Sequence, residues 1–461
     1  MLPALVRAQP AGAAAPEPAA PAPADSLPAR SLAEAFGRGH WHGRVRNDFL
    51  ATVNQGNLPD YYANGLGAGV RFETALLHGF QLGAGGFFWA NLASSDLATP
   101  DAATGAVNRY EAGLFDVTDP GRRQLTGRPE ELYVRYRRRH SSATFGRQLL
   151  STPLLNPYDG RLTPSYAQGL WLEIGELPRT TVTAGWLTHM GPRSTTAWYS
   201  VANSIGVYPS GVSETGQRSA YAGNLRSRGV GVLAVSRQLG ERTRAQVWNY
   251  YADNLFNTVF SEITTSRDAG AGQLTLGGQF LYQRTVGTGG NADPRLAFSV
   301  PGHQAQALSA RLGYQLGAWR VSGNYTRITR AGRFLFPREW GREPFYAFMP
   351  RERDEGAGGL DAAVLLASYA VPAAPGLTAE VGYGRYYLPD VRNTRLNKYG
   401  MPSYQQLNAS LTYPFRGGAS GLKWQLLYVY KGALGNTYGE ARYLINKVDM
   451  HLLNVVVNYA F

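Results

Sequence analysis

Arginines at every second position mark one short stretch of the chain. Arg135, Arg137 and Arg139, with Glu131 on the same parity, alternate with Leu132, Val134 and Tyr136. In an extended strand, residues two apart share a face and lie ~6–7 Å from one another. Guanidinium forks at that spacing form a row along which a carboxylate can step. The same parity selects Arg71 against Val70 and Phe72, Arg311 against Leu312 and Tyr314, Arg320 against Trp319 and Val321, and Lys423 against Trp424 and Leu426. These seven residues are the candidate binding set for small anionic or zwitterionic solutes. A structural reading stands beside it, in which such arginines pair across strands with Asp or Glu and stiffen a wall. Arg138 interrupts the apolar face, where a long side chain can reach an interface.

The whole chain shares this bias, with 45 Lys+Arg against 32 Asp+Glu in 461 residues, a net charge of +13. The arginines are scattered, with no basic tail and no recognition-helix pattern, which speaks against nucleic acid and for a basic cleft or pore. The absence of cysteine excludes disulfides, Cys-ligated metals and thiol catalysis. His40 and His42 precede the first expected strand without a third ligand at metal spacing, so a collar is expected there, with no metal and no cofactor. A hydrolase needs an exposed Ser beside a His. The one histidine inside an expected strand is His451, and no Gly-x-Ser-x-Gly elbow exists. The glycines of 65–69 and 83–86 sit in period-two surroundings, which predicts close packing rather than phosphate binding.

Strands must hold these residues. No run of 18 apolar residues exists, so no transmembrane helix is predicted. Leu453, Val455, Val457, Tyr459 and Phe461 share one face against Asn454 and Asn458, and similar segments recur from residue 44 onward. Their spacing predicts an all-β chain of eighteen strands, including 66–76, 130–139, 224–237 and 256–265, joined alternately by tight and long connections. The connection 253–255 is the exception to that alternation. The rhythm fits a transmembrane antiparallel β-barrel with short periplasmic turns and long extracellular loops, spanning 36–461 in a bacterial outer membrane. Facing lipid at mid-membrane, an arginine costs ~2–4 kcal/mol, so the parity set is expected to point inward. Residues 1–35 are Ala/Pro-rich and read as a disordered linker or export remnant, since Pro3 interrupts a short apolar start.

The stretch Phe145-Gly146-Arg147-Gln148, through Pro153, Leu154 and Tyr158-Asp159-Gly160-Arg161-Leu162-Thr163-Pro164 to Gln168-Gly169-Leu170, resembles the OprD-type porin family, also called the outer membrane carboxylate channel family. The resemblance implies a constriction of inward-folded loops, with a basic ladder on one wall that hands on a substrate carboxylate. It places Asn156, Tyr158, Asp159, Arg161 and Ser165 in a constriction loop. There Asp159 would face the basic wall across a transverse field. In the alternative reading Tyr158-Asp159-Gly160 is a turn whose carboxylate binds backbone amides. Loop 330–359 either folds over the lumen or forms an extracellular network. The implied function is passive uptake of small carboxylate-bearing or dipolar solutes without a cofactor. An outer-membrane hydrolase and a general porin are the alternatives. Expected partners are membrane lipid, lipopolysaccharide and, through Phe461, the barrel assembly machinery. Monomer and trimer both stay open.

Overall fold

A computed structural model describes residues 28–158 and 161–461. After a short helix α1 (Leu32–Gly37) come β1 (His40–Asn54), β2 (Tyr61–Glu73), β3 (Phe80–Ser94), β4 (Thr126–Arg138), β5 (Ser141–Gln148), β6 (Tyr166–Ile174) and β7 (Thr180–Gly191). The two-residue β8 (Tyr199–Ser200) and one-turn α2 (Val201–Ser204) follow. Then come β9 (Val230–Gln238), β10 (Thr243–Ala252), β11 (Phe256–Ala269), β12 (Gly272–Thr285), β13 (Gln304–Leu316) and β14 (Trp319–Ile328). The last are β15 (Leu360–Ala370), β16 (Thr378–Tyr387), β17 (Tyr404–Pro414), β18 (Leu422–Ala433) and β19 (Met450–Ala460). Each long strand pairs antiparallel with its neighbours, β7 passes its edge directly to β9, and β1 pairs with both β2 and β19. The wall is therefore a closed barrel of eighteen strands, with β8 an appendage on β7.

Alternation builds this wall. In β19, Leu453 is 39% exposed on the membrane side while Asn454 is 3% exposed inside. Closure is completed by the carboxy-terminal residue, which exchanges backbone hydrogen bonds of 2.8 and 3.0 Å with Gly43. The glycine-rich segments pack as expected: a Cβ on Gly83 would lie 2.3 Å from the Tyr133 ring, which covers it inside the barrel.

The wall departs from the sequence expectation at several ends. The strand expected at 66–76 runs Tyr61–Glu73, because Tyr61 and Ala63 turn inward and are buried while Tyr62 faces out. The strand expected at 224–237 begins only at Val230, since Arg228 is held in the preceding loop by Asp253 at 2.7 Å. The strand expected at 256–265 continues to Ala269. His40 and His42 lie within β1 rather than before it, and His189 lies in β7, so His451 is not the one histidine on a strand.

The apolar core lies inside the barrel, toward the long loops. Leu154 and Leu155, Val201 and Ile205, and Phe334, Phe336, Trp340 and Phe345 come from three loops and pack against Tyr250, Phe256, Phe260 and Leu281 of the wall. Loop 330–359 thus folds into the lumen.

Candidate functional site

On the arc from β1 to β4 the interior is ionic. Cross-strand register places His42 opposite Arg71, Arg71 opposite Gly85, Gly85 opposite Glu131, and Gln81 opposite Arg135. Counting along these ladders, Arg137, Arg135, Arg71, Arg44 and Arg46 rise from the short-turn rim by two residues, four, two and two. Glu73 fills the long step, 3.7 Å from Arg135 and 2.6 Å from Arg71, and accepts the Tyr133 hydroxyl. Arg71 also reaches Glu131 at 3.4 Å, Arg44 reaches Glu130 at 2.8 Å, and Arg46 lies 3.6 Å from Asp48. Arg137 is half-buried and has no side-chain partner among the described residues. Six arginines, counting Arg128, face four carboxylates, which leaves this arc net cationic.

A β-bulge makes that density possible. The register between β3 and β4 shifts at Gly85/Gly86, so Glu130 is the extra residue and both Glu130 and Glu131 turn inward. Before the bulge, Arg128 also faces in. Its guanidinium is fully buried and donates to the carbonyls of Pro192 at 2.6 Å, Thr195 at 3.1 Å and Pro164 at 2.8 Å. It therefore pins two inward loops to the wall.

The arc from β11 to β17 carries amides and hydroxyls, and they hold loop 329–359. Gln283 donates to Leu335 O at 2.8 Å and accepts from Leu335 N at 3.0 Å. Gln279 donates to Pro344 O at 3.0 Å and Gln406 to Pro350 O at 2.8 Å, while Ser309 Oγ accepts Tyr346 N at 3.0 Å. The loop lies against the wall through its backbone, much as an added strand would. Within it, Asp354 is buried, with Oδ2 unpartnered, beside Glu343 and Glu352. Burial, then these two carboxylates, push its carboxyl well above the usual range.

The predicted residues divide accordingly. Arg71, Arg135 and Arg137 lie on the ionic arc. Arg139 does not join them, because β4 ends at Arg138 and Arg139 takes a left-handed turn conformation (φ 50°), exposed at the rim. Arg311 is on the far arc, bonded to Asn324 at 2.8 Å with its guanidinium 4.4 Å from the Tyr346 ring centroid. Arg320 and Lys423 are second residues of β14 and β18 at the short-turn rim, and Arg320 bonds Gln315 at 3.3 Å.

In the third loop, Asn156 staples loop to loop, donating to Arg342 O at 2.8 Å and accepting Arg342 N at 3.2 Å. Ser165 donates to Glu339 O at 2.8 Å, and Tyr158 bonds Ser151 at 2.9 Å. Arg161 is buried, close enough to Arg46 for the two cations to repel. Asp159 lies outside the described residues. Sequence reasoning missed Arg44 and Arg46, because Asn47 blurs the alternation of β1, its amide being tied sideways to Asn64 at 2.7 Å. It missed Arg128 because the strand expected at 130–139 begins already at Thr126, and Glu130 because the bulge inverts parity there.

The sequence model of the OprD family, described as an outer membrane porin, matches residues 104–387, more than half the chain. No curated protein matches the chain by sequence. Among solved structures, Pseudomonas aeruginosa OccK9 (OpdG) superposes with a TM-score of 0.71 at 14% identity, covering 93% of this chain and 99% of that one. Acinetobacter baumannii OccAB1 gives 0.70 at 13% identity, covering 93% and 97%. Pseudomonas aeruginosa OpdK with vanillate gives 0.68 at 16% identity, covering 92% and 99%.

Proposed function

The chain belongs to the OprD family of outer membrane porins, substrate-specific channels rather than enzymes, and on that premise we propose that it passes small carboxylate-bearing or dipolar solutes by passive diffusion. The carrying observation is the arginine row from Arg46 to Arg137, most of it half-neutralised and its last member unpaired among the described residues. A fully neutralised wall would offer an anion nothing, and a wall without carboxylates would hold it too long. Alternating partners give an anion a series of weak sites, which is what conduction needs. One structural neighbour, OpdK, was solved with vanillate, an aromatic carboxylate, which agrees with this substrate class.

The eyelet role is proposed for Tyr158, Arg161 and the loop around them. Asn156 and Ser165 serve as staples in that loop. Arg320, Lys423 and Arg139 are proposed to act at the periplasmic rim as field-setting cations. Phe461, 67% exposed at the barrel seam, is the proposed contact for the assembly machinery. The test is solute uptake into liposomes together with planar-bilayer recording. Replacing Arg135 and Arg137 by Ala is expected to cut carboxylate uptake about tenfold, or ~1.4 kcal/mol, while a neutral sugar passes unchanged. Equal loss of both solutes would reject the basic row as the selective element.

A further inference from the structure

A tripeptide repeats around part of the membrane face: Tyr282-Gln283-Arg284 on β12, Tyr325-Thr326-Arg327 on β14 and Tyr383-Gly384-Arg385 on β16. The middle residue points inside in each case, Gln283 at 1% and Thr326 at 0% exposure. The flanking tyrosine and arginine therefore point outward. Tyr325 is 43% and Tyr383 37% exposed. Each arginine is within two residues of the end of its strand at the long-loop rim, these ends being Thr285, Ile328 and Tyr387. The three guanidinium groups consequently lie at the outer boundary of the hydrocarbon, each with a tyrosine one step deeper.

The intervening strands complete a polar band. The Tyr282 hydroxyl reaches Gln304 at 3.4 Å, that of Tyr383 reaches Gln405 at 2.9 Å, and that of Tyr325 donates to Asp361. Arg327 pairs with Asp361 at 2.7 Å. Arg385 contacts tyrosine hydroxyl alone, at 2.9 Å from Tyr383, and Arg284 has no side-chain partner among the described residues. Among the described residues, two of the three cations thus lack a counter-ion, on a surface whose lower edge is hydrocarbon. At that height the anions within reach are lipid phosphates, whose oxygens match a guanidinium fork.

We propose that the Tyr-x-Arg row of β12, β14 and β16 is a binding surface for the phosphate groups of an outer-leaflet glycolipid. The inference needs the barrel and its orientation, and is independent of the solute that the channel passes. The experiment melts the purified full chain in detergent against increasing lipid A, in diphosphorylated and dephosphorylated forms. It compares wild type with the double variant Arg284→Gln/Arg385→Gln and with Arg237→Gln/Arg267→Gln, which removes outward arginines near the opposite rim. The diphosphorylated lipid is expected to raise the wild-type melting temperature, with half-saturation roughly thirty-fold weaker in the first variant and unchanged in the second. The variant Arg284→Lys/Arg385→Lys, which keeps the charge, is expected to fall between, and it carries the test if the Gln variant does not fold. An equal response to dephosphorylated lipid, or equal weakening in both Gln variants, would overturn the proposal. So would a change in oligomer mass in lipid-free detergent, which would make the row a contact between copies.

Discussion

The two halves of the lumen use their polar side chains differently. On β1 to β4 the arginines and carboxylates bind one another, and Arg44, Arg71 and Arg135 keep 29%, 21% and 22% of their side chains exposed, the charge that the proposed function offers to a solute. On β11 to β17 the glutamines, serine and threonine are consumed by the backbone of one long loop. A buried loop exposes amides and carbonyls that need partners, and neutral side chains supply them without the desolvation cost of ions. On the proposed function, selectivity and loop anchoring are thereby separated around the circumference.

Arg128 is the exception that joins the two tasks, being ionic in chemistry and an anchor in role. Arg128→Ala should produce the largest effect, about 3 kcal/mol of stability together with noisier single-channel currents as two loops loosen. Denaturant titration and bilayer recording measure both, and unaltered stability would mean that the loops are held elsewhere.

Inside the anchored loop, Asp354 should make stability depend on pH. Its carboxyl is raised, so the folded chain holds a proton that the unfolded chain has lost. The stabilisation is complete below the ordinary carboxylate range and is lost as pH rises through the raised value, at about 1.4 kcal/mol per pH unit in between. Asp354→Asn should flatten the curve of melting temperature against pH; parallel curves for the two proteins would contradict the assignment.

Arg137→Glu tests the open half. The ratio of anion to cation permeability, read from reversal potentials in a salt gradient, should fall about fivefold, or ~1 kcal/mol. No change would place Arg137 off the solute path. The smallest effect is expected from Gln283→Ala, about 0.5–1 kcal/mol of stability with selectivity untouched. A selectivity change there would erase the distinction between the halves.

Strand number, closure and the short-turn rim were legible because alternation persists wherever one face meets lipid. The inward direction of Arg71, Arg135 and Arg137 followed from the same rule. What stayed hidden depends on contacts between distant segments. Asn156 and Ser165 read as pore-facing polar residues, yet each satisfies a carbonyl of loop 329–359, more than 170 positions away. Arg311 obeyed parity and still lies under Tyr346, since inward is not the same as accessible. Arg44 and Arg46 were obscured by an outward Asn47, whose partner on the next strand no local pattern reveals.

The extra residue at Glu130 acts like a frameshift in space. Upstream of it β4 is in phase with the loops it pins, and downstream with the proposed solute path. Deleting that one residue would restore a uniform alternation with Arg128 still inward but leave one glutamate where two now meet Arg44 and Arg71, whereas a deletion in the 317–318 turn would leave every facing unchanged within its strand. The wall therefore tolerates changes of length at its edges, while at this one point its meaning depends on being irregular.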